Sequence, residues 1–142
     1  YLMKISLVPT EHIEIVWPRI EKYMEKAAKY TYGRFTANDI KNEAIKNFKV
    51  QQLWIAFEDD IIYGAYVTEI VQYPQIKTCV IHFLGGKEFK KWGWIGLKVL
   101  QAFAKDNDCD VMESYGRPGW EKIWKNNGYK ERFTFYELPV EN

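Results

Sequence analysis

A chain of 142 residues is long enough to bury a full hydrophobic core without disulfide or metal staples, so a single domain over residues 1–142 is the expectation. Its composition, 47% hydrophobic and 27% charged, is that of an ordinary globular protein and excludes wholesale disorder. A formal net charge of +1 gives no global attraction to nucleic acid or to an anionic membrane, so neither is an expected partner.

Residues 3–8 are partly β-branched, the pattern of a first strand, and Pro9-Thr10 turns the chain toward a helix. From Ile13 the apolar positions Ile13, Val16, Trp17, Ile20, Met24 and Ala27 recur at the three-and-four spacing of a helical stripe. Pro18 falls inside that stripe, where its missing N–H and its ring predict a kink or a fresh helix start. Gly33 ends the segment. Thr36 stands where its hydroxyl can cap a second helix carrying Ile40, Ala44, Ile45 and Phe48. The period then becomes two. Leu53, Ile55 and Phe57 alternate with Trp54 and Ala56, Asp59-Asp60 turns, and residues 61–71 return as a long strand, which predicts a hairpin.

Tyr73-Pro74-Gln75 breaks the chain before a strand over 78–84, with Cys79, Ile81 and Phe83 expected on one face and Val80, His82 and Leu84 on the other. Gly85-Gly86 is expected to close it. Phe89, Trp92, Gly96, Val99 and Phe103 line one face of a helix through residue 106, and residues 110–114 form a short strand. Gly116-Arg117-Pro118-Gly119 turns into a further helix, with Pro118 suited to its first turn and Trp120, Ile123 and Trp124 on its apolar side. Asn127-Gly128 stops it, and residues 129–138 alternate as a last strand. Cys79 and Cys109 show neither metal-ligand spacing nor a paired framework, so reduced thiols, no metal and a cytoplasmic setting are expected. The apolar runs fall far below the roughly 18 residues of a spanning helix, and no secretory leader is evident.

The resulting order is strand, two helices, three antiparallel strands, helix, strand, helix, strand. This α/β (α+β) order resembles the GNAT fold of acetyl-CoA-dependent N-acetyltransferases, a mixed and mostly antiparallel central sheet flanked by helices. The stretch GRPGWEKIWKNNGYKERF is similar to that family's C-terminal part, where a short helix ends in a glycine–aromatic pair, here Gly128-Tyr129. TEIVQYPQ, HFLGG and MESYGRPGW also resemble GNAT-like proteins of tailed bacteriophages, which implies a host cytoplasm or virion as the setting and a phage or host protein as a possible partner.

The resemblance implies acetyl-CoA as cofactor and acetyl transfer by direct attack of a primary amine, on a small molecule or a protein. Phe83, Leu84, Gly85, Gly86, Lys87, Lys90 and Lys91 are then the cofactor-binding candidates. A helix N-terminus carries about half a positive charge and free N–H groups, and glycine lets a phosphate approach the backbone. The groove is expected between residues 79–84 and 110–114, with N–H groups near Leu84 polarising the thioester carbonyl. The sequence departs from the family in two places. The usual loop, Gln or Arg, two residues, Gly, one residue, Gly or Ala, is nearest at Lys90 to Ile95, so either that register is degenerate or Gly85-Gly86-Lys87 does its work. Trp124 stands where many members carry a proton-donating tyrosine, leaving Tyr115 and Tyr129 as substitutes. A GNAT-shaped binding or structural protein without acyl transfer is therefore the alternative from another class.

Glu69, His82 and Glu113 lie on three strands that the fold brings toward the sheet centre, and each can accept a proton from an amine. Each also has a plain reading: a solvated carboxylate, a core imidazole with one bonded nitrogen, a structural hydrogen bond. The basic run Lys87, Lys90 and Lys91 opposes the helix dipole, which suits either a solvated face or an anionic neighbour. Arg117 suits a phosphate or carboxylate, or simply its turn. Trp54, Trp92, Trp94, Trp120 and Trp124 read as core, with Trp17 and Trp94 partly exposed.

Overall fold

The computed structural model describes residues 2–46, 49–116 and 119–140. Strand β1 (Lys4–Leu7) leads through a 3-10 turn (Thr10–His12) into α1 (Ile13–Lys29) and α2 (Ala37–Lys46). Strands β2 (Gln51–Glu58), β3 (Ile61–Gln72) and β4 (Lys77–Gly86) follow, then α3 (Phe89–Asp106), β5 (Val111–Ser114) and α4 (Glu121–Asn126). The five strands lie in chain order in one sheet, antiparallel from β1 to β4, with β5 parallel to β4. The parallel pair needs a crossover, and α3 supplies it.

Helices α1 and α2 cover one face. Ile13, Trp17, Ile20 and Met24 bury the α1 stripe against Leu53, Ala65, Val67 and Phe83. This burial carries the helix straight through Pro18, which neither ends α1 nor starts a new helix, since one lost N–H weighs less than four buried apolar side chains. Trp17 is accordingly core, at 4% exposure, and not the half-exposed side chain expected, whereas Trp94 is open at 47%. Thr36 and Asp39 cap α2 reciprocally: the Asp39 N–H donates to Thr36 Oγ1 at 3.1 Å and the Thr36 N–H donates to Asp39 Oδ2 at 2.9 Å. Phe48, Arg117 and Pro118 lie outside the described residues.

Helices α3 and α4 cover the other face, with Trp92, Leu97, Leu100 and Trp124 packed on Trp54, Ala56, Tyr66 and Ile81. Small residues set the spacing of this layer. A Cβ on Gly96 would lie 1.6 Å from the Tyr66 hydroxyl, and one on Gly93 2.4 Å from the Phe89 ring.

Two expectations fail in ways that matter for the site. Gly85 and Gly86 do not close β4 but extend it, paired with Ala65 and Gly64 of β3. The strand over 129–138 is absent: no ladder forms there, and Phe133, Phe135, Tyr136 and Leu138 are 74–93% exposed. Alternation expresses a preference for a half-buried extended surface and names no partner strand. Here the segment is held by side chains instead, through a 2.7 Å ion pair from Arg34 to Glu137 and the Arg34 guanidinium 5.1 Å from the Phe135 ring centre.

Candidate active site

The site begins with one extra residue. Val67 of β3 faces Phe83 while the next residue, Thr68, faces Ile81, so His82 is a β-bulge on β4. The bulge breaks the expected alternation. Ile81 and Leu84 pack with the α3 and α4 layer, whereas Phe83 packs with the α1 and α2 layer, correcting the face assignment made from period two alone. The ladder to β5 also stops here, its last rung being Ile81 with Ser114. Strand β4 runs on to Gly86, paired only with β3. Among the described residues, His82 to Gly86 therefore present a backbone edge with no strand beside it.

All three candidate proton acceptors gather at this divergence. Glu69, Val80 and Glu113 form one cross-strand row over β3, β4 and β5, which puts the two carboxylates on the same face, flanking β4. Nε2 of His82 is in hydrogen-bond contact with Oε1 of Glu69, both side chains about a quarter exposed, at 24% and 25%. The imidazole is stacked between Phe83, at 5.6 Å, and Tyr115, at 5.7 Å. Tyr115 is largely exposed, at 70%, and its phenol is raised from its ordinary value by partial desolvation and then by Tyr73, Glu113 and Glu69, so it stays protonated at neutral pH. Oε1 of Glu113 is shielded from solvent and has no hydrogen-bond partner among the described residues. An acceptor atom left so is costly, and a cationic ligand group would satisfy it.

Beyond the free edge stands the start of α3. Glu88 precedes the helix in the left-handed region, φ 51°, without a side-chain cap. The Lys87 N–H donates to the Tyr63 carbonyl at 2.8 Å, and the Trp92 Nε1–H donates to the Lys87 carbonyl at 2.7 Å. Lys91 pairs with Glu88 at 3.2 Å, which raises its pKa, and both Lys87 and Lys91 lie over the Tyr63 ring. Lys90 points to solvent. The basic run thus has part of its counter-charge within the protein. The glycine pair is explained by packing too: a Cβ on Gly85 would sit 2.4 Å from the Tyr23 carbonyl oxygen, and one on Gly86 2.4 Å from that of Tyr63.

At the end of the free edge lies a cavity of about 50 Å³, lined by Lys26, Leu84, Gly85, Gly86, Phe89, Trp92 and Trp120. That is room for a few waters. Trp120 closes it, edge-on to Phe89 at 5.1 Å and stacked near Trp124 at 6.1 Å. The sequence marks Trp120 only as core. Its one local signal is a tryptophan directly after Gly119, which takes φ 99°. The two substitute proton donors separate cleanly. Tyr115 borders the divergence, whereas Tyr129 is half-buried beside Trp124, with its hydroxyl shielded and its phenol pushed up to about 12 by desolvation and then by Cys79. Trp124 is 9% exposed and its Nε1 has no partner among the described residues.

No family model and no curated protein sequence matches the chain. Solved structures do. A GNAT family acetyltransferase from Staphylococcus aureus superposes with a TM-score of 0.67 at 16% identity, over 99% of this chain and 100% of that one. A ribosomal-protein-alanine N-acetyltransferase from Brucella melitensis gives 0.70 at 10% identity, over 99% and 100%. AAC(6')-Iy, in complex with the bisubstrate analogue CoA-S-monomethyl-acetylneamine, gives 0.71 at 16% identity, again over 99% and 100%. The chain has the GNAT fold: a five-stranded, mostly antiparallel sheet between helical layers.

The geometry can be tested against the cofactor that this fold suggests. A free strand edge offers main-chain hydrogen bonds to an amide-bearing chain, and the edge from His82 to Gly86 is free. Lys87 and Lys90 stand at the helix start where a diphosphate would be neutralised. These backbone groups and lysines have the chemistry an acyl-CoA needs along that edge, and Trp120 borders the edge at its Leu84–Gly86 end, where the cavity holds about 50 Å³.

Proposed function

We propose that the protein is an N-acyltransferase that takes its acyl group from acetyl-CoA and passes it to an amine held beside Glu69, His82, Glu113 and Tyr115. One observation carries this reading: β4 parts from β5 at the same residue, His82, that contacts Glu69. The free edge and the proton acceptors are thereby adjacent.

Acetyl-CoA, when bound, supplies an electrophilic acyl carbon and a thiol leaving group. Phe83 to Gly86 bind its amide-bearing chain through their backbone, N–H groups near Leu84 polarise the thioester carbonyl, and Lys87, Lys90 and Lys91 neutralise its phosphates. On the acceptor side, Glu69 accepts the Nε2–H of His82 and fixes the tautomer, which leaves Nδ1 to take the amine proton. With the acyl group passing to the amine nitrogen, His82 would hold the amine's proton at Nδ1 and the Tyr115 hydroxyl would supply the proton that the leaving thiolate needs. Glu113 holds the cationic form of the incoming amine through its unpartnered oxygen. The acceptor is a small-molecule or protein amine, and the setting is the cytoplasm.

Calorimetric titration with acetyl-CoA, followed by transfer of labelled acetyl to a panel of amines, tests the reading. Saturable binding with label in an amine product supports it, and no heat up to millimolar cofactor, in folded wild-type protein and in folded variants trimmed at Trp120 alike, refutes it. A second reading has its own support. The 50 Å³ cleft, the packed glycines and Trp124 favour a GNAT-shaped binding or structural protein, for which the sequence resemblance proposes a phage particle or a host protein as the partner. That reading gains if acetyl-CoA is ignored and the protein instead co-purifies with assembled particles.

A further inference from the structure

We infer that Trp120 is the gate of the cofactor cleft: its indole borders the Leu84–Gly86 end of the free β4 edge in the resting protein and must swing aside before the chain of an acyl-CoA can lie along that edge. The inference rests on the acyl-CoA reading above and adds to it a control element.

Three observations carry it. The cavity bounded by Leu84, Gly85, Gly86, Phe89 and Trp120 holds about 50 Å³, too little for even the thioester end of the cofactor, yet it lies where β4 has lost its neighbour. The obstruction comes from side chains and not from backbone. Trp120 stands at the mouth with its ring against Phe89, and both are only half-buried, so moving the indole outward breaks no fully enclosed core. The backbone beside Trp120 leaves room for such a change. It lies one residue before α4, a helix of 6 residues, and directly after Gly119, whose φ of 99° is open to glycine alone at little cost and whose would-be Cβ meets nothing within 4 Å.

The energetic consequence is a binding penalty. If the open arrangement is a minor one, the apparent affinity is the intrinsic affinity reduced by the fraction open. Truncating the indole removes the need to open. Trp120→Ala should therefore bind acetyl-CoA at least tenfold more tightly than the wild-type protein, and Trp120→Leu, which refills part of the space, should fall between them. Wild-type binding should also be accompanied by a change in tryptophan fluorescence that Trp120→Leu loses.

Isothermal titration of all three proteins, each first shown to melt cooperatively, decides the matter. Tighter binding in the order Ala, Leu, wild type supports the gate, whether or not wild-type binding is measurable. Equal or weaker binding by folded Trp120→Leu and Trp120→Ala overturns the gate and leaves the acyl-CoA reading standing. Absence of binding in every folded variant overturns both.

Discussion

The α3 layer makes a quantitative prediction through Gly96 and Tyr66. Glycine in a helix interior costs about 1 kcal/mol relative to alanine, so on propensity alone Gly96→Ala should stabilise α3 by about that much. Packing reverses the sign. The new Cβ would lie 1.6 Å from the Tyr66 hydroxyl oxygen and 2.5 Å from the ring carbon bearing it, in a side chain that is fully buried. Overpacking of this kind costs about 1–3 kcal/mol, and so short a contact belongs at the upper end, leaving a net loss of about 2 kcal/mol. Tyr66→Phe removes the nearer atom. It also removes a buried hydroxyl with no partner among the described residues, an atom that costs about 1–3 kcal/mol to bury unpaired, so this variant should gain stability by about 1 kcal/mol. In the double mutant the penalty of Gly96→Ala should shrink without vanishing, because the ring carbon remains at 2.5 Å. Urea unfolding midpoints, at unchanged slope, measure all four proteins. Gly96→Ala at or above wild-type stability, or strict additivity of the two changes, would refute this account of the layer.

Three further outcomes follow from other parts of the molecule. Glu69→Gln should lower acetyl transfer about a hundredfold or more while leaving acetyl-CoA binding unchanged, since it disturbs the tautomer of His82 and not the β4 edge; a matching loss of cofactor affinity would count against the division of roles. Burial pushes the Cys79 thiol up to about 12, so alkylation at pH 8 in native protein should modify Cys109 slowly and Cys79 not at all, as read by mass spectrometry. Thr36 holds the Asp39 carboxyl below its ordinary pKa of 3.8, so this cap contributes at neutral pH and is lost as the pH falls through the depressed folded value. Thr36→Ala should accordingly lower the melting temperature at pH 7, and by less in strong acid, where the bond from the Asp39 N–H to Thr36 Oγ1 is still lost but no charged carboxylate is involved, by thermal melts at both.

The elements were legible where periodicity is local. The α1 stripe from Ile13 to Met24, the β2–β3 hairpin around Asp59-Asp60 and the Thr36 cap all depend on residues a few positions apart, and all are present. Misreadings arose where the decisive partner is distant. The opposite faces of Ile81 and Phe83 follow from the register of β3, where their partners Thr68 and Val67 lie on another strand, and no reading of residues 78–84 alone contains it. The same holds for Gly85 and Gly86, whose extension of β4 is dictated by Gly64 across the ladder and by the Tyr23 carbonyl of α1. Tyrosine, phenylalanine and leucine alternate after Gly128 as they would in a strand, but Arg34, nearly a hundred residues earlier, takes Phe135 and Glu137 instead. Glu69, His82 and Glu113 were each identifiable as chemically capable. Their approach near the sheet centre followed from the element order, but the contact of His82 with Glu69 and the row from Glu69 through Val80 to Glu113 did not, because they depend on which rung of each strand meets which.

One inserted residue explains that convergence. Without the bulge, His82 would alternate regularly between Ile81 and Phe83, and β4 would have no local reason to leave β5 at Ile81. With it, the strand twists more strongly at this point, and the residues that follow change faces, as Phe83 and Leu84 do. The added twist turns the edge of β4 from β5 at the last rung, Ile81 with Ser114. The extra side chain has no cross-strand position of its own, so it meets Glu69 of β3 on one side while Tyr115, the first residue past β5, stacks on its ring. The proton-accepting pair and the free backbone edge are thus two results of one irregularity and cannot be positioned independently. A substitution that restored regular pairing at His82 would remove both, whereas Glu69→Gln removes only the chemistry and Trp120→Ala alters only access. These three positions separate geometry, proton transfer and entry in a site where all of them lie within a few residues of one another.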